Sequence, residues 1–351
     1  MHLPKAVQGA FATYLRKRFP KAKGRVLEDS VAELSDLFTV RRAELPVSYL
    51  NRPPVRSAYL AYFHPLQVLR GVSALAEVLG RARRRGLLSA PEDRPLEVLD
   101  LGVGMGALSQ ALLILSAPRG GTKVPTVWPN FTFVDHQKSA AKDAKELTEN
   151  VALALDPKAP LPQIRTVTAS IEERLSQDRK HRPDVVLMGG VWNEWDGPWE
   201  PVLERLLRTV SPTGIVVIVE PAIPEVARRL MALRESFLHA TTTIAPCTHG
   251  AACPLLALSR DWCFTTHTAQ LPGAVRVLAE KLRHQISQVR YALWAFSPGA
   301  ERAPFELPTT HHARAVTDAM QGLQVLCLDG ETERRAVQHP VPLRGTLLTR
   351  K

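Results

Sequence analysis

The chain has 351 residues, enough for one large domain or two ordinary ones, and its 45 Lys and Arg against 34 Asp and Glu give a formal net charge of +11. No apolar run reaches the roughly 18 residues that a membrane span needs, and the N-terminal segment lacks the apolar core of a secretory signal. The positive charge favours a polyanionic partner, nucleic acid before membrane, although a basic surface can also serve solubility alone. Four cysteines are too few for a disulfide-based fold.

Residues 1–90 are predicted to form a basic helical region. Apolar residues recur at helical spacing between Leu60 and Leu79, with a kink expected at Pro65. The helix is expected to end in an arginine run followed by Gly86, a typical C-terminal signal. The run is either a solvated helix end favoured by the helix dipole or a site that binds RNA phosphates. The candidate RNA-binding residues are Arg81, Arg83, Arg84 and Arg85.

Residues 91–240 alternate short apolar runs with helical segments. Five buried strands are predicted, over residues 96–101, 131–135, 163–169, 184–190 and 214–220. Buried strands separated by helices indicate an α/β fold with a doubly wound, mostly parallel sheet. The alternation stops after the fifth strand, so residues 241–351 are predicted to form a third region, which carries the cysteines and the remaining strands.

A glycine-rich turn follows the first predicted strand. In LEVLDLGVGMGAL, three glycines at alternating positions join a buried strand to a helix, where they permit a tight turn and close approach of the backbone to a ligand. The dinucleotide fingerprint does not fit, because the third glycine comes one residue early. The pattern resembles motif I of class I S-adenosylmethionine-dependent methyltransferases, which implies a cofactor-binding turn formed by Asp100, Gly102, Gly104 and Gly106.

Polar residues at the ends of the next three strands are further candidates for the cofactor site. Asp135 is expected to accept hydrogen bonds from ribose hydroxyls, with a helix N-cap as the alternative. Ser170 is expected to border the adenine, and Asn193 to face the methyl donor. The neighbouring Trp192 and Trp195 either stack on a base or pack against the following helix.

No catalytic residue is identified from the sequence. It contains no Asn-Pro-Pro-Tyr type motif of the kind used in amino-group methylation. No cysteine lies near the fourth or fifth predicted strand, so a cysteine nucleophile for carbon-5 methylation of a pyrimidine is missing. The predicted pocket is therefore a cofactor site without an assigned reaction.

The cysteines are clustered, and clustering of this kind in an intracellular chain is more typical of a metal site than of a disulfide. Their positions are Cys247, Cys253, Cys263 and Cys327. The spacing lacks the short C-x2-4-C pairs of compact zinc sites and suits an iron–sulfur cubane, which accepts thiolates from separate loops. A mixed zinc site with His249 or His267 stays an alternative, as do four simply buried cysteines.

Taken together, these motifs resemble one family. Residues 57–65 contain S-A-Y and a following proline, and WNEW, VEPA, APCTHGAACPL, DWCF and CLDG come after the fourth strand. The combination is similar to the methyltransferase-like small-ribosomal-subunit proteins of mitochondria and bacteria. The resemblance implies a [4Fe-4S] cluster on Cys247, Cys253, Cys263 and Cys327, contact with ribosomal RNA, and a role in small-subunit assembly and translation.

The leading hypothesis is an rRNA-binding assembly factor of the small subunit with S-adenosylmethionine in its pocket and a structural [4Fe-4S] cluster. If a methyl group is transferred, the expected acceptor is a ribosomal RNA base. The alternatives are an active RNA or small-molecule methyltransferase with structural zinc, and a non-catalytic RNA-binding module with a vestigial pocket. We expect a monomer without membrane contact, in the cytoplasm of a bacterium or in the mitochondrial matrix of a eukaryote.

Overall fold

The computed structural model describes most of the chain. The described residues are 1–46, 48–88, 94–118, 126–177, 182–247, 249–299, 312–315, 323–328, 331–336 and 347–349, the last four ranges by their backbone alone. Contacts between Cα atoms divide the chain into two units. The first comprises Met1–Leu75, Glu92–Gln177 and Thr268–Val289, and the second comprises Ala76–Pro91, Asp178–His267 and Arg290–Lys351.

The N-terminal region is helical, as predicted. Its helices are α1 (Lys5–Arg18), α2 (Gly24–Phe38), α3 (Pro53–Ala58) and α4 (His64–Arg84). The irregularity expected at Pro65 is a π-helical turn over Tyr59–Phe63, directly before α4. A proline ring cannot fit against the carbonyl four residues earlier in a regular helix, and a wider turn relieves that clash. The arginine run ends α4, and Gly86 follows with a positive φ of 68°.

The remaining elements alternate as the sequence predicts. The strands of the larger sheet are β1 (Glu97–Leu101), β2 (Asn130–Asp135), β3 (Ile164–Thr168), β4 (Val185–Gly189), β5 (Ile215–Pro221), β6 (Thr241–Ala245), β7 (Thr265–Thr268) and β8 (Gln288–Pro298). The helices among them are α5 (Ala107–Ser116), α6 (Lys138–Leu155), α7 (Ile171–Ser176), α8 (Glu200–Thr209), α9 (Pro224–Ser236) and α10 (Gly273–Lys281). All five predicted strands are present, each within two residues of the expected bounds.

The strand order of this sheet is β3-β2-β1-β4-β5-β8-β6, with β7 paired to β8. In the first unit β1 and β2 are parallel, as are β2 and β3, with Asp100 opposite Phe133. In the second unit β4 and β5 are parallel, while β8 runs antiparallel to both β5 and β6. The predicted α/β fold with a largely parallel sheet is therefore confirmed.

Apolar burial explains why these segments form the interior. In the second unit β4 and β5 are almost entirely inaccessible to solvent, as continuous Val, Ile and Leu runs predict for a sheet covered on both faces. The first unit also contains a buried ion-pair network. The carboxylate of Asp143 on α6 is buried and forms ion pairs with Arg18 and Arg56, each with an N–O distance of 3.1 Å. These pairs connect α1 and α3 to α6.

The C-terminal part adds a second, antiparallel sheet in the second unit. Its strands are β9 (His312–Ala315), β10 (Leu323–Leu328), β11 (Glu331–Ala336) and β12 (Leu347–Thr349), in the order β11-β10-β9-β12. The segment LQVLCL forms β10, and Cys327 lies opposite Thr332 of β11. Among the described helices, none has the length and apolar character that a membrane crossing demands. The division into regions 1–90, 91–240 and 241–351 stays a prediction.

Candidate functional site

The glycine turn adopts a conformation that needs its glycines. Gly102, Gly104 and Gly106 have φ values of 67°, 52° and 81°, in the left-handed region that other residues rarely adopt. A Cβ on Gly106 would lie 3.0 Å from the Gln110 side chain and 3.1 Å from that of Thr148, so space as well as conformation favours glycine there. The turn connects β1 to α5, whose N-terminus favours anionic groups.

Asp135 closes against this turn, as its position at the end of β2 predicts. One carboxylate oxygen accepts the Gly104 N–H at 2.9 Å, and the other accepts the Gln137 N–H at 2.8 Å. Burial raises the pKa of Asp135, while the two backbone hydrogen bonds and His136 oppose that rise. Helix α6 has Gln137 and not Asp135 as its N-cap. Each carboxylate oxygen carries two lone pairs, so Asp135 retains the capacity to accept from a ligand hydroxyl.

Asp100 and Gln110 support the turn from within the unit. Asp100 is buried and accepts a hydrogen bond from the Ser109 hydroxyl at 2.6 Å, and burial raises the pKa of Asp100 to about 7. Gln110 donates to the Met105 carbonyl inside the turn at 2.8 Å and bonds to the buried His64 ring at 2.7 Å. Burial lowers the pKa of His64 to about 4, so the ring is neutral at pH 7. His64 and the turn are far apart in the chain, so their contact was not predictable from local sequence pattern.

Ser170 begins α7. Its hydroxyl accepts the Glu173 N–H at 3.1 Å, and the Glu173 carboxylate accepts the Ser170 N–H at 2.8 Å, which is a capping box. The preceding residue, Ala169, donates its N–H to the Asp135 carbonyl at 3.2 Å. Ser170 thus lies near Asp135 along the ends of neighbouring strands, with its hydroxyl already engaged by the helix. A contact with adenine stays a prediction.

In the second unit Asn193 is held by a carboxylate that the sequence analysis missed. Glu220, at the end of β5, accepts the N–H groups of Val191, Trp192 and Asn193 at 2.9, 3.0 and 3.1 Å, and the Asn193 amide at 2.9 Å. Burial raises the pKa of Glu220 to about 7 against the effect of these hydrogen bonds. An ionisable residue at the end of the apolar run GIVVIVE was the available signal. Glu220 fixes the turn that carries Asn193.

The two tryptophans after β4 differ in their surroundings. Trp192 is buried and packs edge-to-face against Trp199 at the start of α8, with ring centroids 4.8 Å apart. Trp192 therefore packs against the following helix, which is one of the two alternatives for this pair. Trp195 is half-buried, and its indole lies over Gly197, where a Cβ would be 2.5 Å from Nε1.

Three cysteines come together in the second unit. Cys253 and Cys263 both pack against Met231 of α9 and Leu255. The Cys253 N–H donates to the Glu235 carboxylate at 2.9 Å, and the Cys263 N–H donates to the Met231 sulfur at 3.2 Å. Burial raises the pKa of the Cys253 thiol, and the charge of nearby Cys247 raises it further. All three thiols are half-buried, and none of them forms a disulfide.

The fourth cysteine belongs to a strand pair next to this segment. The Cα atoms of residues 254–257 lie within 8 Å of those of β11, the hairpin partner of β10, on which Cys327 is located. The Cys327 side chain lies outside the described residues. Within the described part of the chain, no three His, Cys, Asp or Glu side chains are grouped as metal ligands. The backbone thus places the hairpin that carries Cys327 beside residues 254–257, without showing a finished ligand set.

The arginine run, for which a solvated helix end and a phosphate site are the alternatives, divides into two pairs with different surroundings. Arg81 is buried, forms an ion pair with Glu77 at 2.8 Å, and donates to the carbonyls of Ile244, Pro246 and Cys247 at 3.1–3.2 Å. Arg85 donates to the Thr243 carbonyl. Their guanidinium groups hold β6 and the start of the cysteine segment and are not presented to a surface ligand.

Arg83 and Arg84 are exposed at the end of α4 and stay candidates for phosphate binding. The difference follows from helical periodicity. Arg81 and Arg85 continue the buried stripe of Ala74 and Val78, while Arg83 and Arg84 point away from it.

The cysteine residues fit a thiolate-bound metal or cluster in their chemistry. Cys253 and Cys263 pack against one apolar cluster, and Cys247 acts electrostatically on Cys253. Thiolates are the type of ligand that iron–sulfur clusters and structural zinc share. Buried arginines lie on both sides of the segment: Arg81 donates to carbonyls at residues 244–247, and Arg234 donates to those of His249 and Ala251. Positive charge of this kind stabilises the thiolate form that metal binding requires.

Comparison with solved structures finds low-level likeness to methyltransferases. A Pyrococcus horikoshii protein described as an RNA methyltransferase is 17% identical, with 65% of this chain and 84% of that chain covered and a TM-score of 0.35. Precorrin-6y C5,15-methyltransferase from Geobacter metallireducens is 14% identical, with 63% and 87% covered and a TM-score of 0.36. An rRNA methylase from Streptococcus thermophilus is 12% identical, with 59% and 89% covered and a TM-score of 0.33. At these TM-scores the likeness supports no conclusion about the fold beyond the observed strand order.

Comparison of sequences is more informative. No curated protein matches the chain. The profile of a protein family, described as "Mitochondrial small ribosomal subunit Rsm22", matches residues 72–281. The match covers more than half of the chain and contains the glycine turn, Asp135, Glu220 and the first three cysteines. The chain therefore belongs to the mitochondrial small ribosomal subunit Rsm22 family.

Proposed function

We propose that this protein is a small-ribosomal-subunit factor that binds ribosomal RNA, holds S-adenosylmethionine at its glycine turn and carries a [4Fe-4S] cluster on its four cysteines. The family match carries this proposal, because residues 72–281 span both the glycine turn and the cysteine segment. The family description names mitochondria, which favours the mitochondrial matrix over the bacterial cytoplasm as the working compartment. The protein is proposed to act as a monomer, without a membrane partner.

S-adenosylmethionine binding is supported by the geometry of the first unit. The left-handed glycines expose backbone next to the N-terminus of α5, and Asp135 lies within hydrogen-bonding distance of Gly104. Asp135 would accept from the ribose hydroxyls, and Ser170 would border the adenine. The cofactor supplies an activated methyl group when bound. The residues at the turn bind and orient it, and no base or nucleophile is assigned to them.

Replacing Asp135 by Asn is expected to weaken S-adenosylmethionine binding about tenfold, as loss of one hydrogen bond to a charged acceptor predicts. Asn has one acceptor oxygen, and its NH2 group would face the N–H of either Gly104 or Gln137, so one of the two hydrogen bonds that order the turn is lost together with the charge. Isothermal titration calorimetry measures the dissociation constant. Asp156→Asn is the matched control, since that carboxylate also accepts backbone and side-chain bonds but lies at the other end of α6. Equal affinities in the wild type and Asp135→Asn would remove Asp135 from the site.

The [4Fe-4S] proposal is supported by the convergence of the thiols. Cys253 and Cys263 pack against the same apolar cluster. Burial raises the pKa of Cys253 most, and the charge of Cys247 raises it further. Cys327 lies on the adjoining hairpin. A cluster at this place would tie the irregular segment to the C-terminal sheet and would be structural. Structural zinc is the alternative, and metal analysis with an anaerobic visible spectrum separates the two.

Ribosomal RNA binding is supported by charge. The chain carries a formal net charge of +11, and Arg83 and Arg84 extend an exposed basic end of α4. Counterion release on contact with phosphates makes such binding strongly dependent on salt. RNA is proposed to contact this end of α4, while Arg81 and Arg85 hold the cysteine segment.

Replacing Arg83 and Arg84 together by Gln is expected to reduce the slope of log affinity against log salt by about two, one per lost phosphate contact. Fluorescence anisotropy with a small-subunit rRNA fragment at several salt concentrations measures the slope. A variant with Arg208 and Arg276 changed to Gln has the same net charge and tests whether position matters. If the two double variants have the same slope, the effect of changing Arg83 and Arg84 comes from net charge and not from their position.

A further inference from the structure

Arg234 of α9 is a buried cation with incomplete hydrogen bonding. Its side chain is 4% exposed. Its Nη2 donates to the carbonyls of His249 and Ala251, both at 3.0 Å. Within the described residues, Nε and Nη1 have no hydrogen-bond acceptor, although Nη1 lies 3.8 Å from the Glu235 carboxylate. Buried donors of a charged group are rarely left unpaired, because their lost hydration is not replaced.

The location of Arg234 indicates what the missing acceptor is. Two other residues of α9 contact cysteine backbones: Glu235 accepts from Cys253, and Met231 accepts from Cys263. The charge of Arg234 also acts on the Cys253 thiol, where it opposes the larger effects of burial and of Cys247 on the pKa. The unpaired donors therefore belong to a buried cation beside the cysteine segment.

We infer that Arg234 donates through Nε or Nη1 to the anionic sulfur group that Cys247, Cys253 and Cys263 would hold, and so tunes the electronic properties of that group. This inference rests on the proposed thiolate-bound metal or cluster. Nη2 positions the loop through His249 and Ala251, which leaves the other donors available for a sulfur ligand. A planar guanidinium can serve both purposes at once, whereas the single ammonium of lysine cannot.

A hydrogen bond to the sulfur of an iron–sulfur cluster stabilises the more negative, reduced state. Arg234→Lys is therefore expected to shift the midpoint potential of the reconstituted full-length protein to more negative values. Arg228→Lys is the matched control, because Arg228 lies on the same helix and also donates to carbonyls of the cysteine segment, at Leu256, Leu258 and Asp261. Its guanidinium is not among the buried groups with unpaired donors.

The test measures iron content and midpoint potential after anaerobic reconstitution with iron and sulfide. A negative shift in Arg234→Lys but not in Arg228→Lys, at equal iron content, supports the inference. Unchanged potentials in both variants, or equal shifts in both, would overturn it, since a merely structural clamp affects the two alike.

A second measurement tests the role of Arg234 if the protein takes up no iron during reconstitution. Co²⁺ bound to the thiolates gives a sulfur-to-metal charge-transfer band, which lies at higher energy when the sulfur accepts a hydrogen bond. Arg234→Lys is expected to move this band to lower energy relative to the wild type and Arg228→Lys. If the wild type takes up no iron, the [4Fe-4S] proposal fails by itself, and the cobalt band still decides on Arg234. A wild-type band in Arg234→Lys would then overturn the inference.

Discussion

Replacing Cys327 by Ser is expected to abolish cluster loading and to lower the melting temperature of the protein. Cys327 lies on β10, whose partner β11 runs beside residues 254–257, so its thiolate is the proposed link between the C-terminal sheet and the cysteine segment. Three thiolates alone leave one cluster corner without its protein ligand. Metal binding contributes directly to folding in such sites, so its loss also removes stability.

Iron and zinc analysis, an anaerobic visible spectrum and a thermal melt check this expectation together. The wild type is expected to show iron with a broad band near ~400 nm, and the variant is expected to lose both. Thr332→Ser is the control, because Thr332 lies opposite Cys327 in the same hairpin and carries no thiol. Full iron content with unchanged melting in Cys327→Ser would refute the assignment. Stoichiometric zinc without iron in the wild type would rule out the [4Fe-4S] cluster and support a structural zinc site.

Replacing Arg81 by Met is expected to destabilise the protein by about 3–5 kcal/mol, the usual cost of breaking a buried ion pair by removing one partner. Glu77 would lose its counter-ion, and three carbonyls at residues 244–247 would lose their donor. The methionine side chain retains much of the volume, so the loss is mainly of charge and hydrogen bonds. Amide exchange is expected to rise in residues 243–247.

Chemical denaturation measures this change, and Arg83→Met is the matched control two positions along the same helix. Arg83 is exposed, so its replacement is expected to cost less than about 0.5 kcal/mol. RNA binding is expected to show the reverse order, with the salt slope altered by Arg83→Met and unchanged by Arg81→Met. Equal stability losses in the two variants would contradict the division of the arginine run into an interior pair and a surface pair.

The sheet and the glycine turn were predictable because local pattern determines them. Buried strands appear as continuous apolar runs, and a turn with left-handed backbone requires glycine whatever the rest of the chain does. The meeting of Asp135 with Gly104 also follows from adjacent strands ending at one edge. Arg81 could have been placed correctly, because it continues the buried stripe of α4 at helical spacing, but the four arginines within residues 81–85 were treated as one group.

Other contacts depend on tertiary structure and produce no recognisable pattern in the local sequence. Gln110 meets His64, and Arg234 reaches the carbonyls of His249 and Ala251, only because the fold brings separate segments together. Glu220 is an intermediate case. An acidic residue at the end of a buried strand needs hydrogen-bond partners, but the sequence does not show that they come from the turn after β4.

A cross-linking map of the protein on small-subunit precursors tests the central claim most directly. We expect cross-links between small-subunit rRNA and the exposed end of α4 at Arg83 and Arg84. These cross-links should weaken in the Cys327→Ser and Cys253→Ser variants as the cluster is lost. An absence of rRNA cross-links, or cross-links confined to large-subunit RNA, would contradict the proposed role in the small subunit.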